Sequence, residues 1–321
     1  MLALYCGEDR QVVLKKLPRP EPKPGEVLIR VTLAGICGTD LQVLRGYHGF
    51  RGVMGHEFVG VVAGPRNSSW LGQRVVGEIN VSCGACDLCR RGWPRHCRER
   101  QVIGLKNRDG AFASYLTLPE ANLVAVPVQV EDEAAVFTEP LSAALAVMEA
   151  VPLAGKSPVL VVGDGNLGLL IAWALGRSEV AVHLVGHHEA HLALARPYGV
   201  TTFLEKDLPA WDYEVIVEAS GARSGLDLAL ARVRPRGAVV MKSTYAGHYP
   251  LDPAALVVPE VRLLGSRCGS FGPGMRMLAR KWIDPRPLID RRFPLSQGLE
   301  ALAWAQRPGV LKVLLDCREG E

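Results

Sequence analysis

The sequence predicts an α/β protein of two domains, one β-rich and one built on a doubly wound parallel sheet. Three observations predict it. Short extended runs punctuated by proline and glycine fill the stretch from Val12 to about Leu118. From about Val136 apolar runs alternate with helices of roughly ten residues, the pattern of buried parallel strands. The segment "VLVVGDGNLGLLIAWALG" joins such a run to a helix through a glycine turn.

In the first domain the strands are "EVLIRVTLAG", "FVGVVAG" and "QRVVGEIN", set off by breakers such as "PRPEPKPGE". The sheet domain follows with "SPVLVVG", "EVAVHLVG", "YEVIVEASG", "GAVVMKS" and "VRLLGS". After Gly269 come a glycine-rich connection, two helices and a closing strand, in "FGPGMRMLARKWIDPRPLI" and "LSQGLEALAWAQRPGVLKVLLDC", expected to return to the first domain. The expected division is residues 1–137 with 267–321, and residues 138–266.

The chain has 321 residues, 48% hydrophobic and 22% charged, enough to build two cores. The opening "MLALYCGEDR" lacks a basic region followed by an apolar core, so a cytoplasmic location is expected. The longest apolar run carries Asp164, Asn166 and four glycines, which makes it a poor membrane span. The net charge of +4 is modest. Arg90, Arg91, Arg95, Arg98 and Arg100 cluster without an aromatic platform or recognition helix, so they are read as solvated surface and no nucleic-acid partner is expected.

Four of the eight cysteines, Cys83, Cys86, Cys89 and Cys97, lie in "VSCGACDLCRRGWPRHC" at CxxCxxCx7C spacing. A disulfide framework, a redox pair and a metal site are the choices. In a reducing compartment disulfides do not persist. Four thiolates suit a structural zinc, with an iron–sulfur cluster as the lesser alternative. Cys6, Cys268 and Cys317 are read as small packing residues.

Gly163, Gly165 and Gly168 form GxGxxG after a strand and before a helix that opens with Asn166 and Leu167, which places a dinucleotide pyrophosphate on the helix start. The acid that grips a ribose 2′-hydroxyl in NAD-binding sheets is expected at the end of the next strand, in "HLVGHHEAH". Gly186 takes that position, followed by His187 and His188. A glycine makes room for a 2′-phosphate and an imidazole can donate to it, which favours NADP slightly over NAD. On this reading Gly186→Asp shifts preference towards NAD. Glu189 is close enough to serve as a displaced ribose ligand, and two exposed histidines without a role are the plain alternative.

A nicotinamide domain implies hydride transfer, so the first domain should activate an alcohol or carbonyl. Cys37 in "AGICGTDLQ" and His56 in "GVMGHEFVG" are the ligand types of an open zinc site. A third donor could come from Glu57, Cys6 or Glu139.

Taken in order, "GICGTD", "GHE", the four-cysteine lobe, "TEPLSAAL" and "GDGNLG" resemble the zinc-dependent alcohol dehydrogenases of the medium-chain dehydrogenase/reductase superfamily, in the polyol and threonine dehydrogenase-like branch. The resemblance implies a GroES-like β-barrel catalytic domain with a Rossmann domain inserted before its final segment. It also implies two zinc ions per chain, an NAD(P) cofactor and a homodimer or homotetramer. It assigns the catalytic zinc to Cys37, His56 and Glu139, with Glu57 able to approach the metal during ligand exchange. Asp40 then fixes the tautomer of His56, Thr39 relays the substrate proton, and Lys312 lies near the cofactor phosphates. The chain departs from many relatives in having Gln42 where a relay histidine stands, with His48 as a possible substitute. The expected substrate is a small secondary alcohol, polyol or amino alcohol such as threonine, or the matching carbonyl. Pocket walls are expected near Tyr47 to Arg51, Lys106, and Cys268 to Phe271. A zinc-free quinone or enoyl reductase and a non-enzymatic protein reusing the fold are the rival readings.

Overall fold

The computed structural model describes residues 1–318 apart from 9, 47, 48, 154, 156, 157, 179 and 245–247. The chain forms two compact units, Met1–Glu139 with Phe271–Glu321, and Pro140–Ser270. The junctions fall after residues 139 and 270, slightly later than the sequence places them. Helix Thr138–Leu145 runs across the first, and helix Phe271–Ala279 opens at the second.

The long strand Glu26–Ile36 organises the first unit. Its β-branched and leucine side chains are buried almost without a break, because strands pair with it on both sides. The sheet runs in the order Leu123–Ala125, Arg74–Gly77, Glu57–Gly64, Glu26–Ile36, Lys312–Asp316, Ile289–Pro294, with Tyr115–Pro119 pairing the start of the central strand. The register opposes Gly35 to Glu57 and Ile36 to Val313. Glu57 and Lys312 therefore reach the same end of the central strand, just ahead of Cys37.

A second sheet orders Val12–Lys16, Leu2–Cys6 and Gly52–Val53, all antiparallel. Towards the end of the chain, helices Phe271–Ala279 and Gly298–Ala305 and strand Lys312–Asp316 appear as expected. Strand Ile289–Pro294 was not expected; it pairs parallel with Lys312–Asp316, and helix Gly298–Ala305 lies between the two in sequence.

The second unit holds a six-stranded parallel sheet in the order Thr201–Leu204, Val182–Gly186, Val159–Val162, Tyr213–Glu218, Val233–Met241, Arg262–Gly265. Strand order reverses between Val159–Val162 and Tyr213–Glu218, and the crevice at such a switch point receives dinucleotides. Leu160, Val162, Val185, Ile216 and Val239 form part of its core, each such side chain contributing on the order of 1.5–3 kcal/mol.

Candidate metal and dinucleotide sites

The four-cysteine lobe is held together by little apolar packing. Cys86 caps the short helix Asp87–Arg90, and Cys97 follows the single turn Pro94–His96. All eight cysteines are free of disulfides. The thiols of Cys83, Cys86, Cys89 and Cys97 lie within 4.8 Å of one another, with Cys86 to Cys89 at 3.5 Å, Cys86 to Cys97 at 3.9 Å and Cys83 to Cys97 at 3.5 Å. Tetrahedral thiolates at zinc bond length sit about 3.8 Å apart, so the lobe fits the ion. The backbone N–H groups of Arg98 and Cys89 lower the Cys86 thiol to about 6, which readies one thiolate. Desolvation and the hydrogen bonds with neighbouring thiols push Cys89 up to about 11, so that thiol needs a cation to ionise.

The second group lies at the end of the central strand. Cys37 precedes helix Gly38–Leu44, and its backbone N–H donates to Asp40 Oδ2 at 2.9 Å. Asp40 Oδ1 lies 3.1 Å from His56 Nδ1, with both side chains buried. One carboxylate thus ties the cysteine backbone to the imidazole and leaves His56 Nε2 as the ligand nitrogen. Burial opposes charge on His56, but Asp40 and then Cys37 hold its pKa well above the ordinary value. Gly55 places His56 by adopting φ +92°, with the Phe112 ring where a side chain would stand.

Donor atoms of Cys37, His56 and Glu57 lie within 4.8 Å of one another. Glu57 reaches the group because Gly35 opposite has no side chain; a Cβ there would fall 2.3 Å from Glu57 Oε2. Glu57 Oε2 accepts from Lys312 Nζ at 2.5 Å, whereas Glu57 Oε1 is buried and has no hydrogen-bond partner among the described residues. A buried carboxylate oxygen left over beside a thiol and an imidazole is the donor a dication satisfies.

Glu139, in the first turn of helix Thr138–Leu145, is buried, but its carboxylate is not among the atoms of this group. Cys6 is buried elsewhere, its thiol against Gly7 O. Thr39 Oγ1 lies 3.8 Å from Cys37 Sγ and is half-buried. Gln42 sits on helix Gly38–Leu44, and His48 and Tyr47 lie outside the described residues. Lys312 opens strand Lys312–Asp316 and is buried. Its ammonium is 1% exposed and donates to Ile36 O and Glu57 Oε2, so it neutralises a buried carboxylate.

In the sheet unit, helix Asn166–Gly176 starts at Gly165, beside which a Cβ would meet open space. Gly163 has φ +112°, and a Cβ there would strike the Ser220 backbone at 2.7 Å. A Cβ on Gly168 would strike Gly163 O. No side chain caps the helix start at Gly165 and open space lies beside it, so the first-turn N–H groups form a cradle that fits a pyrophosphate at Gly163, Gly165, Asn166, Leu167 and Gly168.

The reading of Gly186 is corrected. The space beside it is filled by Asp164, whose Cβ, Cγ and Oδ2 would lie 2.4 to 2.5 Å from a Cβ on Gly186. Asp164 Oδ2 accepts from the N–H groups of His187 at 2.9 Å and His188 at 2.6 Å, and His188 Nδ1 lies 3.1 Å away. His187 Nε2 lies 3.3 Å from Glu205, and Glu189 pairs with Arg196 at 2.5 Å. Asp164 was legible as a charged residue inside the glycine motif, but nothing local to it reports that it folds across to the neighbouring strand.

Hydride removal from an alcohol carbon calls for an electrophile and a dinucleotide, and the chain provides for both, which defines a metal-dependent dehydrogenase. The alcohol dehydrogenase GroES-like domain family matches residues 23–128. L-Threonine 3-dehydrogenase of Streptomyces avermitilis is 32% identical over 94% of this chain and 95% of that protein. The structure of an alcohol dehydrogenase, rspB, of Escherichia coli CFT073, solved with NADH, is 27% identical at TM-score 0.88 over 98% of this chain and 99% of that one. A zinc-binding dehydrogenase of Sinorhizobium meliloti bound to NADP is 25% identical at TM-score 0.87 over 98% of each chain. The chain belongs to the zinc-type medium-chain alcohol dehydrogenase family. It is an NAD(P)-dependent oxidoreductase acting on an alcohol, with a GroES-like unit and a Rossmann sheet.

Proposed function

We propose that the enzyme interconverts a small polar secondary alcohol, an amino alcohol such as threonine or a polyol, and its ketone, using two zinc ions per chain. The observation that carries this reading is the group Cys37, His56 and Glu57, with Glu57 Oε1 buried and unpartnered among the described residues and His56 locked by Asp40. Cys37 and His56 hold the catalytic ion together with one carboxylate. Glu139 is the carboxylate the family resemblance assigns, and Glu57, grouped with Cys37 and His56, would be placed to approach the ion. Cys83, Cys86, Cys89 and Cys97 hold the structural ion.

When bound, zinc polarises the alcohol oxygen and makes its proton easier to remove, and the nicotinamide accepts the hydride. Thr39 Oγ1 would accept a hydrogen bond from the substrate hydroxyl and, as that proton arrives, pass its own on through the cofactor ribose and water to solvent. Asp40 keeps the imidazole proton on Nδ1, so the other nitrogen stays available. Lys312 holds the charge of Glu57 in a buried setting and keeps one of its oxygens aimed at the group.

Eight free thiols and the lack of any long apolar helix among the described residues support a cytoplasmic location, and the family resemblance supports a dimer or tetramer. The test is a spectrophotometric screen of secondary alcohols, polyols and threonine with both cofactors on metal-quantified protein. Turnover with about two zinc ions per chain is the expected result. Protein that holds no zinc yet reduces quinones or enoyl compounds contradicts it, as does a fully loaded protein that turns over no alcohol.

A further inference from the structure

We infer that Asp164, from the glycine loop itself, replaces the missing acid at the end of the second strand and makes this enzyme select NAD over NADP. The inference rests on the dehydrogenase reading and adds the cofactor choice to it. Gly186 ends strand Val182–Gly186, where a ribose-binding carboxylate is sought. Its side-chain space is taken by the Asp164 carboxylate, reached from the preceding strand-to-helix turn. The functional group is present at the right place on a different residue.

Asp164 is 6% exposed, and its position is fixed by donors that all converge on one oxygen. Oδ2 receives the N–H groups of His187 and His188, with His188 Nδ1 beside it. Among the described residues none takes Oδ1, which remains to accept a ribose hydroxyl. Those same two N–H groups, at the start of the turn after the strand, are the donors a 2′-phosphate could otherwise use. The chain fills that anion seat with its own carboxylate. A 2′-phosphate then meets a like charge and finds its donors already engaged, whereas a hydroxyl meets an acceptor. Asp164 also brings His188 and His191 into a cluster of donor type, but each imidazole turns Nδ1 to Asp164 itself, so the grouping is satisfied without a cation.

The test is binding rather than turnover. NADH and NADPH are titrated by fluorescence or calorimetry against the zinc-loaded parent and Asp164→Asn, and 5′-AMP and 2′,5′-ADP against the parent alone. The parent should bind NADH at least about tenfold more tightly than NADPH, and 5′-AMP more tightly than 2′,5′-ADP. Asp164→Asn, which keeps the shape and drops the charge, should cut the NADH preference by about tenfold or more, chiefly by improving NADPH. A parent that favours NADPH or 2′,5′-ADP overturns the inference, and so does a folded Asp164→Asn protein with an unchanged ratio. The adenosine fragments decide the matter even if that variant does not fold. Failure of the parent to bind either dinucleotide overturns the dehydrogenase reading as well, which separates the two.

Discussion

Asp40 shows how one carboxylate can serve two neighbours, fixing the Cys37 backbone and the His56 ring at once. Asp40→Asn is expected to lower metal affinity or activity by about 10- to 100-fold while dinucleotide binding stays put, read by metal analysis and NADH titration. Lys312 poses a sharper test. With Glu57 it forms a buried pair, so Lys312→Met strands a carboxylate and should cost about 3–5 kcal/mol of stability in denaturant unfolding. If Lys312 served phosphates instead, the loss would appear in NADH affinity. Burial opposes the charge on Lys312, yet Glu57 and then Cys37 keep its pKa raised, in line with a structural cation. The thiol and imidazole of this group were legible as residue types beside glycines. Why Gly35 must be glycine, and what Lys312 does, were not, because both depend on strand register between distant segments.

Among elements, the cysteine lobe contains one short helix and one helical turn, neither stable by itself. Cys83→Ser or Cys97→Ser should therefore lower the unfolding temperature and release one zinc, with the remaining metal still bound, as thermal melts and metal analysis would report. The central strand has its own electrostatic anchor, Glu26 at its start, paired to Arg108 at 2.8 Å. Burial opposes the charge of Glu26, but the hydrogen bond and charge of Arg108 leave its pKa lowered. A depressed carboxylate stabilises the fold above its ordinary pKa and loses that contribution as pH falls through the lowered value. Glu26→Gln should thus cost roughly 1–2 kcal/mol near neutral pH and much less in acid, measured by unfolding across pH. The pattern of apolar runs revealed five of the six parallel strands. Thr201–Leu204 escaped because it is a sheet edge with only partial burial, and Ile289–Pro294 because three charged residues mask its alternation.

The chain combines a parallel sheet with a glycine loop, a four-cysteine lobe and a group of Cys37, His56 and Glu57, and the glycines, the cysteines and the Cys37–His56 pair were readable from spacing and order along the sequence before any packing was known. What stayed hidden was one distant residue standing where another could have been: Asp164 in the side-chain space of Gly186, and Lys312 against Glu57. Such substitutions arise from side chains crossing between strands, which no linear spacing reports. The central proposal is a second, reactive ion at Cys37 and His56, apart from the cysteine lobe. Zinc content and turnover of the parent beside Cys37→Ser test this most directly. The expected result is about two ions per chain falling to about one, activity reduced by at least about a hundredfold, and NADH binding retained. Two ions still bound to the variant, or turnover undiminished, would contradict it.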